Sequence, residues 1–297
     1  MRLLVSRHLE NFLVTYEALN LHDAADLKGI SQPALSKSLK LLEEEIGAPL
    51  FIRTSRGLEP TPAGDTLHKY ARKLDQDARF ASIDLQQSVD NLYGKMRIGI
   101  GPVLATTTFP KIIAEFHRQF PQISVTVETG VSSTLIGALH RDHLDVVVSA
   151  LPESAIPDSM VSMPLFKSEM IAIGRKGHPL GNRVSSYEQV SELGRVGFVE
   201  DREFERNAVR ALGQKAERFA PILQTTSLSV MFGMLAETDY YAIVSDMILP
   251  RALENGLVKL QCDGELWSIT IGVVCKVSIS ESRAIIALRK ALAQSRN

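Results

Sequence analysis

The sequence predicts an α/β protein that carries an all-α winged helix-turn-helix domain at its N-terminus. Three observations predict it. Within residues 24–64 a short alanine-rich helix, a glycine turn and a second helix opening Ser31-Gln32-Pro33 follow in order. A long helix with a heptad pattern then begins at Thr61. Beyond Gly94 the texture changes to short apolar strands alternating with helices, a repeated β-α-β pattern that implies a parallel sheet with helices on both faces.

Composition agrees with this division. A chain of 297 residues is expected to form two or more domains. With 45% hydrophobic residues and a formal net charge of −1 it can bury several cores and shows no global attraction to a polyanion. Arg2, Arg7 and Glu10 interrupt the early leucines, so no signal peptide or membrane span is read and a soluble, cytoplasmic chain is expected. Cys262 and Cys275 are too few for a disulfide framework and lack metal-ligand spacing.

The first helix is marked by Leu9, Phe12, Leu13 and Tyr16 on one face. Asn20 is a fitting N-cap for the second, with Asp23 in its first turn, where a negative charge suits the helix dipole. This short helix is expected to pack through Ala24, Ala25 and Leu27, and Gly29 can take the left-handed conformation that ends it. Ser31 caps the third helix and Pro33 sits in its first turn, where a missing N–H costs little.

Leu35, Leu39, Leu42 and Ile46 must face the core. Gln32, Ser36 and Lys40 form a stripe elsewhere on that helix, with Lys37 beside them. Such side chains suit a helix lying in the major groove: Gln can pair with adenine, Ser is adaptable, and Lys reaches guanine or phosphate. The plainer alternative is a solvated helix face. Arg53 and Arg56 lie in a segment that would make a wing, where arginines touch phosphate or the minor groove. Acidic residues match basic ones across 1–64, so any positive patch is local. The candidate DNA-contacting set is Gln32, Pro33, Ser36, Lys37, Lys40, Arg53 and Arg56.

From Thr61, an N-cap followed by Pro62, apolar positions recur at Leu67, Ala71, Leu74, Ala78, Ala81, Leu85, Ser88 and Leu92. Their alternating spacing of four and three reads as a coiled-coil seam that wants a partner helix. Strands are then expected at Met96–Gly101, Ile123–Val127, Val146–Val148, Met170–Ile173, Val196–Val199, Ala242–Val244 and Ile269–Val274. Helices are expected around Ile112 to Phe116, Leu135 to Leu139, Val209 and Arg283 to Leu292, with a threonine-rich loop after the first strand.

Residues 9–64 resemble the winged helix-turn-helix of the LysR-type transcriptional regulators. Phe12, Ala24-Ala25, Leu27, Ser31-Gln32-Pro33-Ala34-Leu35-Ser36, Leu41, Glu43, Gly47, Leu50-Phe51, Arg53, Thr61 and Gly64 carry the resemblance as an ordered set. Asn20-Leu21, where the family more often shows Gly-Ser, and the three acids Glu43-Glu44-Glu45 depart from it. A weaker similarity continues through Arg97-Ile98-Gly99, Pro110, Phe116, Pro121, Leu139, Leu144-Asp145 and Pro250.

The resemblance implies a DNA-binding domain over 1–64, a dimerising linker helix over 65–93, and an effector-binding domain over 94–297. That last domain would hold two α/β lobes resembling periplasmic binding proteins. One lobe would span about 95–166 plus 268–297, the other about 167–267, with crossings near Phe166 and Trp267. The implied partners are double-stranded DNA with two-fold-related half-sites, a small-molecule effector and further copies of the chain as a dimer or tetramer, with RNA polymerase as a further candidate. No cofactor or metal is implied.

In open α/β sheets ligands bind past the carboxyl ends of strands, at helix N-termini. That rule selects Pro102, Val103 and Thr106, then Val131, Ser132 and Ser133, as candidate effector contacts. Across a cleft it selects Glu200, Asp201 and Arg202, then Thr226 and Ser227, then Ser245 and Asp246. Many family members sense organic acids, which small hydroxylated residues at helix N-termini suit. Glu200-Asp201 would repel an anion unless Arg202 turns inward, so a neutral or amine-bearing effector becomes the hypothesis. Asp239-Tyr240-Tyr241 replaces a glycine-rich turn frequent in the family and alters the expected pocket shape.

Other classes fit less well. The seven histidines are scattered, and His140-x-x-His143 has no third ligand beside it. A Gly-x-Ser-x-Gly elbow and a phosphate loop are missing, and Gly99-x-Gly101 lacks the third glycine of a dinucleotide fingerprint. An enzyme is therefore not expected, and the N-terminal module disfavours a pure solute-binding protein. Thiol-based redox sensing through Cys262 and Cys275 is the second alternative, and cysteines buried as small hydrophobes are the ordinary reading of both.

Overall fold

The computed structural model describes residues 7–54, 57–85, 94–181, 184–263 and 266–294. The chain divides into two compact units, 1–81 and 82–297.

In the first unit, α1 (Arg7–Ala18) buries Leu9, Phe12 and Leu13. The side chain of Asn20 caps α2 (Leu21–Lys28) by accepting from the His22 and Asp23 N–H groups, and Gly29 ends it at φ 65°. Ala24 and Ala25 are its buried residues. Leu27, expected in the packing, is 74% exposed. It follows Ala25 by two residues, about 200° around the helix, so the close alanine contact turns it outward.

Ser31 caps α3 (Gln32–Ile46) through the Ala34 N–H, and Leu35, Leu39 and Leu42 are buried. Gly47 closes the helix in the left-handed conformation. Glu43 bends back to accept from the Leu50 N–H at 2.7 Å and the Phe51 N–H at 3.4 Å. One of the three consecutive acids thus fixes the chain where it leaves α3. A buried polar contact, Asn11 donating to Ser38 at 2.8 Å, ties α1 to α3 and was invisible in the apolar periodicity.

The segment expected to make a wing is an antiparallel hairpin of β1 (Phe51–Thr54) and β2 (Gly57–Pro60). Phe51 packs its ring 5.5 Å from that of Phe12, and the Leu58 N–H donates to the Leu19 carbonyl at 2.9 Å. The wing is therefore fastened to the junction of α1 and α2. Thr61 accepts from the Gly64 N–H at 3.0 Å, and its hydroxyl donates to the Pro49 carbonyl at 2.7 Å. It caps α4 (Pro62–Leu85), a helix of 24 residues. A Cβ at Gly64 would lie 2.3 Å from the Leu50 carbonyl oxygen, so only glycine lets α4 start this close to the wing.

The seam on α4 is divided. Ala71 is buried in the core of this unit and Leu67 packs against it, while Leu74, Ala78 and Ala81 are exposed. The side chain of Leu85, with Ser88 and Leu92, lies outside the described residues.

The second unit opens with β3 (Gly94–Ile100), which starts at Gly94. The threonine-rich stretch expected as a loop contains α5 (Pro102–Thr106) before α6 (Phe109–Gln119). β4 (Ile123–Thr129), α7 (Ser132–His140) and β5 (Val146–Ala150) follow. Then come β6 (Met160–Arg175), α8 (Tyr187–Ser191), β7 (Arg195–Phe198) and α9 (Arg202–Leu212). β8 (Pro221–Thr225), α10 (Leu228–Glu237), β9 (Ala242–Ser245) and α11 (Leu249–Glu254) lead to β10 (Leu257–Lys259), β11 (Ser268–Lys276) and α12 (Arg283–Gln294).

The expectation of a purely parallel sheet is corrected. β3 pairs in parallel with β4 and β5, and β7 with β8. β11, however, runs antiparallel between β5 and β6, and β6 runs antiparallel to β9 and β10. The reason lies in the length of β6. Its first part, Met160 to Glu169, pairs with β11, and its second part, Met170 to Arg175, pairs with β9 and β10. One strand therefore passes through two sheet regions, and β11 brings the chain back beside it in the opposite direction. A register shift at Ile271/Gly272 bends this pair.

Candidate functional site

On α3, Gln32, Pro33, Lys37 and Lys40 are exposed and Ser36 is half-buried. Leu35, Leu39 and Leu42 fill the core on the other face, so the polar stripe points outward from a helix fixed by its apolar side. Arg53 of β1 donates from Nη2 to Ser36 Oγ at 3.4 Å. A shallow cavity of about 290 Å³ runs between α3 and the wing, lined by Ser36, Lys40 and Arg53 among others. Three of the seven candidate residues, Ser36, Lys40 and Arg53, thus line one cavity, and Gln32, Pro33 and Lys37 are exposed on the same helix. Arg56 lies outside the described residues. Lys40 pairs with Glu44 at 3.7 Å, but both side chains are more than half exposed, so that pair is easily traded for another partner.

In the second unit a cleft of about 100 Å³ opens where the carboxyl ends of β3, β4, β5, β7 and β9 converge. Pro102, Val103, Val131, Ser132, Asp201 and Ser245, all expected, line it. Ser133 and Glu200, also expected, do not line it; Ser133 Oγ donates instead to the Glu200 carbonyl at 2.8 Å. Glu200 takes φ 56°, a left-handed conformation uncommon for a residue with a side chain. Thr106, Arg202, Thr226, Ser227 and Asp246 do not line the cleft. Thr106 is turned to the α5 carbonyls, Arg202 is exposed, and Ser227 caps α10.

Beyond Pro102, Val103 and Val131, the sequence missed apolar residues of the lining, Phe198, Ile269 and Ile271 among them, and the carboxylate of Glu203. Glu203 is buried and ion-paired with Arg206. It follows Asp201 by two residues, on the first turn of a helix, and only the direction of α9 shows that both reach the cleft. Asp201 caps α9 through the Phe204 N–H, and burial pushes its carboxyl up to about 6. Arg195, buried behind it, lies 4.1 Å over the Phe204 ring. Asp239-Tyr240-Tyr241 falls elsewhere: Tyr241 is buried in the core and Asp239 pairs with Arg175 at 2.7 Å.

The two cysteines stand apart from the cleft. Cys275 is in β11, opposite Val146 and Val161, and burial pushes its thiol up to about 12. Cys262 is half-buried beyond β10, and burial raises its thiol too. Among the described residues no group of three or more His, Cys, Asp or Glu could hold a metal ion, and no helix is long and apolar enough to cross a membrane.

A winged helix-turn-helix joined to an α/β unit with a cleft at its strand ends is the build of a DNA-binding transcriptional regulator. Residues 6–65 match the profile of bacterial regulatory helix-turn-helix proteins of the lysR family, and residues 90–296 match the LysR substrate binding domain. The chain belongs to the LysR family of transcriptional regulators. It is 30% identical to the HTH-type transcriptional regulator GalR of Pseudomonas putida, over 97% of this chain and 73% of that one. It is 28% identical to the DNA-binding transcriptional dual regulator OxyR of Escherichia coli, over 90% of this chain and 88% of the relative.

A solved full-length OxyR variant from Pseudomonas aeruginosa shares the fold with a TM-score of 0.72 at 20% identity, covering 97% of this chain and 94% of the other. A probable transcriptional regulator from the same organism does so with 0.61 at 16%, covering 96% of each. The fold class is thus a winged helix-turn-helix followed by a two-lobed α/β effector domain of the periplasmic-binding-protein kind, with the expected all-α N-terminal domain corrected by the two-stranded wing of β1 and β2.

Proposed function

We propose that α3 reads an operator in the major groove through Gln32, Pro33, Ser36, Lys37 and Lys40, with Arg53 and Arg56 on the flanking backbone. One observation carries this: the polar stripe is outward-facing and joined to the wing by the Arg53–Ser36 hydrogen bond. The DNA-binding domain is 1–64, the linker helix 65–93 and the effector-binding domain 94–297. The exposed face of α4 at Leu74, Ala78 and Ala81 pairs two copies, which suits two-fold-related half-sites. A non-catalytic regulator of this kind works in the cytoplasm, where its DNA lies.

A small molecule in the cleft lined by Pro102, Val103, Val131, Ser132, Asp201 and Ser245 shifts the balance between lobe arrangements and so repositions the paired DNA-binding domains. β6 and β11 are the two crossings about which the lobes turn. Gln32→Ala is expected to weaken binding to an operator selected from random duplexes by about 1–3 kcal/mol, roughly 5- to 150-fold, and to relax preference at one base position. Arg53→Ala should instead weaken all sequences alike and lower the salt dependence by about one counterion. Unchanged affinity in the folded Gln32→Ala protein would remove α3 from its assigned role.

The likeness to OxyR brings in thiol sensing as a second reading, and the environment of both cysteines speaks against it. A reactive thiol needs access and a lowered pKa. Both thiols here are pushed the other way by burial. The double variant Cys262→Ala, Cys275→Ala is expected to keep its operator affinity, with and without peroxide, in a gel-shift titration. A peroxide response lost in that variant would restore the redox reading.

A further inference from the structure

The polar groups of the cleft can be assigned proton by proton. Ser132 Oγ donates to the Ala150 carbonyl at 2.7 Å. Ser149 Oγ lies 3.3 Å from Ser132 Oγ and 3.2 Å from the same carbonyl, so its single proton goes to one of those two oxygens. Beside β9, Ser168 Oγ donates to Asp246 Oδ1 at 2.5 Å. The contact of 2.6 Å between Ser168 and Ser245 then has Ser245 as its donor. All four hydroxyl protons are committed to protein oxygens. Ser132, Ser149 and Ser245, which line the cleft, therefore offer it lone pairs.

The charged groups point the same way. Asp201 and Glu203 line the cleft, and no Lys, Arg or His does so among the described residues. Glu203 is ion-paired with Arg206, and the buried guanidinium of Arg195 acts on the Asp201 carboxylate from behind the cleft wall. Asp201 Oδ1 takes the Phe204 N–H at 3.2 Å, which leaves further acceptor capacity on the carboxylate. The rest of the wall is apolar, with Val103, Phe198 and Ile271 in it. Such a lining needs a ligand that donates hydrogen bonds, carries positive charge and has a short apolar body.

We propose that this cleft takes a compact molecule bearing a protonated amine, its N–H groups directed to the Asp201 carboxylate and the serine lone pairs. The proposal rests on the cleft being the effector site. Two sources share this chemistry, a simple aliphatic amine and a small α-amino acid. Helix α7 begins at Val131 without a side-chain cap, so its first-turn N–H groups are available to the carboxylate of the second.

The test uses the full-length protein with three probes of similar size: propylamine, L-alanine and propionate. Each is titrated by calorimetry and by thermal unfolding near neutral pH, beside a gel shift with the selected operator. Binding by propylamine or alanine and not by propionate is the expected result, and tighter binding of alanine identifies the amino-acid source. Asp201→Asn should weaken the amine about tenfold or more, since a charge-assisted contact is lost. Asparagine keeps the cap on α9, so folding is preserved.

The affinity should also fall on acidification. Asp201, raised to about 6 by burial and faced by Arg195, Glu203 and Glu205, loses its charge below that value. One pH unit lower about a tenth of it remains ionised, and binding weakens roughly tenfold. Binding of propionate without either amine overturns the proposal and leaves the effector site standing. So does an Asp201→Asn protein with unchanged amine affinity. Failure of all three probes, with operator binding intact, overturns the effector reading of the cleft together with the proposal.

Discussion

Replacing Arg97 with methionine is expected to lower the stability of the effector unit by about 3 kcal/mol, because it leaves a buried carboxylate without its cation. Asp145 is fully buried at the start of β5 and accepts from Arg97 at three points: the backbone N–H at 2.8 Å, Nη2 at 2.9 Å and Nε at 3.4 Å. In return the Asp145 N–H donates to the Arg97 carbonyl at 2.9 Å. The pair clamps β3 to β5, the two strands whose ends form one wall of the cleft. For a unit of this size the loss corresponds to a fall of about 6–12 °C in the unfolding midpoint by scanning calorimetry. The double variant Arg97→Met, Asp145→Leu should recover most of it, since two apolar groups replace the pair. An unchanged midpoint in the single variant would show that Asp145 is held by other contacts.

Leu35→Ala should be as damaging in the other unit. Leu35 is fully buried in a small core with Phe12, Ala24, Ala25, Leu42 and Leu50. Truncation removes about 2–5 kcal/mol by lost transfer energy and a cavity. In a domain of this size even 3 kcal/mol is about 12–24 °C in the midpoint. The expected outcome is loss of operator binding with the ligand response of the cleft retained, measured on one protein by gel shift and calorimetry. Leu35 lies between Ala34 and Ser36 on α3, the helix proposed to read the operator, so operator binding that survives would mean that α3 is held by its neighbours alone.

The N-terminal unit was legible almost element by element because its signals are local. Asn20, Ser31 and Thr61 cap the helices they were expected to cap, and Gly29 takes the left-handed turn it was expected to take. Caps act over three or four residues, and a single sequence holds all of that information. Leu27 escaped the same reasoning, because the periodicity of an eight-residue helix allows either face to turn inward until its neighbours choose. The division of the α4 seam was hidden for a related reason. Leu67 and Ala71 read as part of a heptad, and only the position of the winged core shows that these two are already used within the chain.

The cleft was half legible. The rule that ligands sit past strand ends found Pro102, Val103, Val131, Ser132, Asp201 and Ser245 in one lining. It could not find Glu203, Phe198 or Ile271, which come from a helix turn and the interiors of walls. Nor could it tell that Thr106 and Ser227 turn away to their own backbones.

By itself the sequence determined the order of helices and strands, the caps that bound them and the polar stripe on α3. Each of these is decided by neighbours a few residues away. Tertiary structure alone decided that β11 runs antiparallel between β5 and β6, that β6 continues antiparallel to β9 and β10, and that Arg53 meets Ser36. It also decided which protons of Ser132, Ser149 and Ser245 are already taken. Those facts depend on contacts between segments 17 to 116 residues apart in the chain, from Ser36 and Arg53 to Met160 and Lys276. Local propensity carries no information at that range, because the partner is chosen by which faces are left to bury once each element has formed.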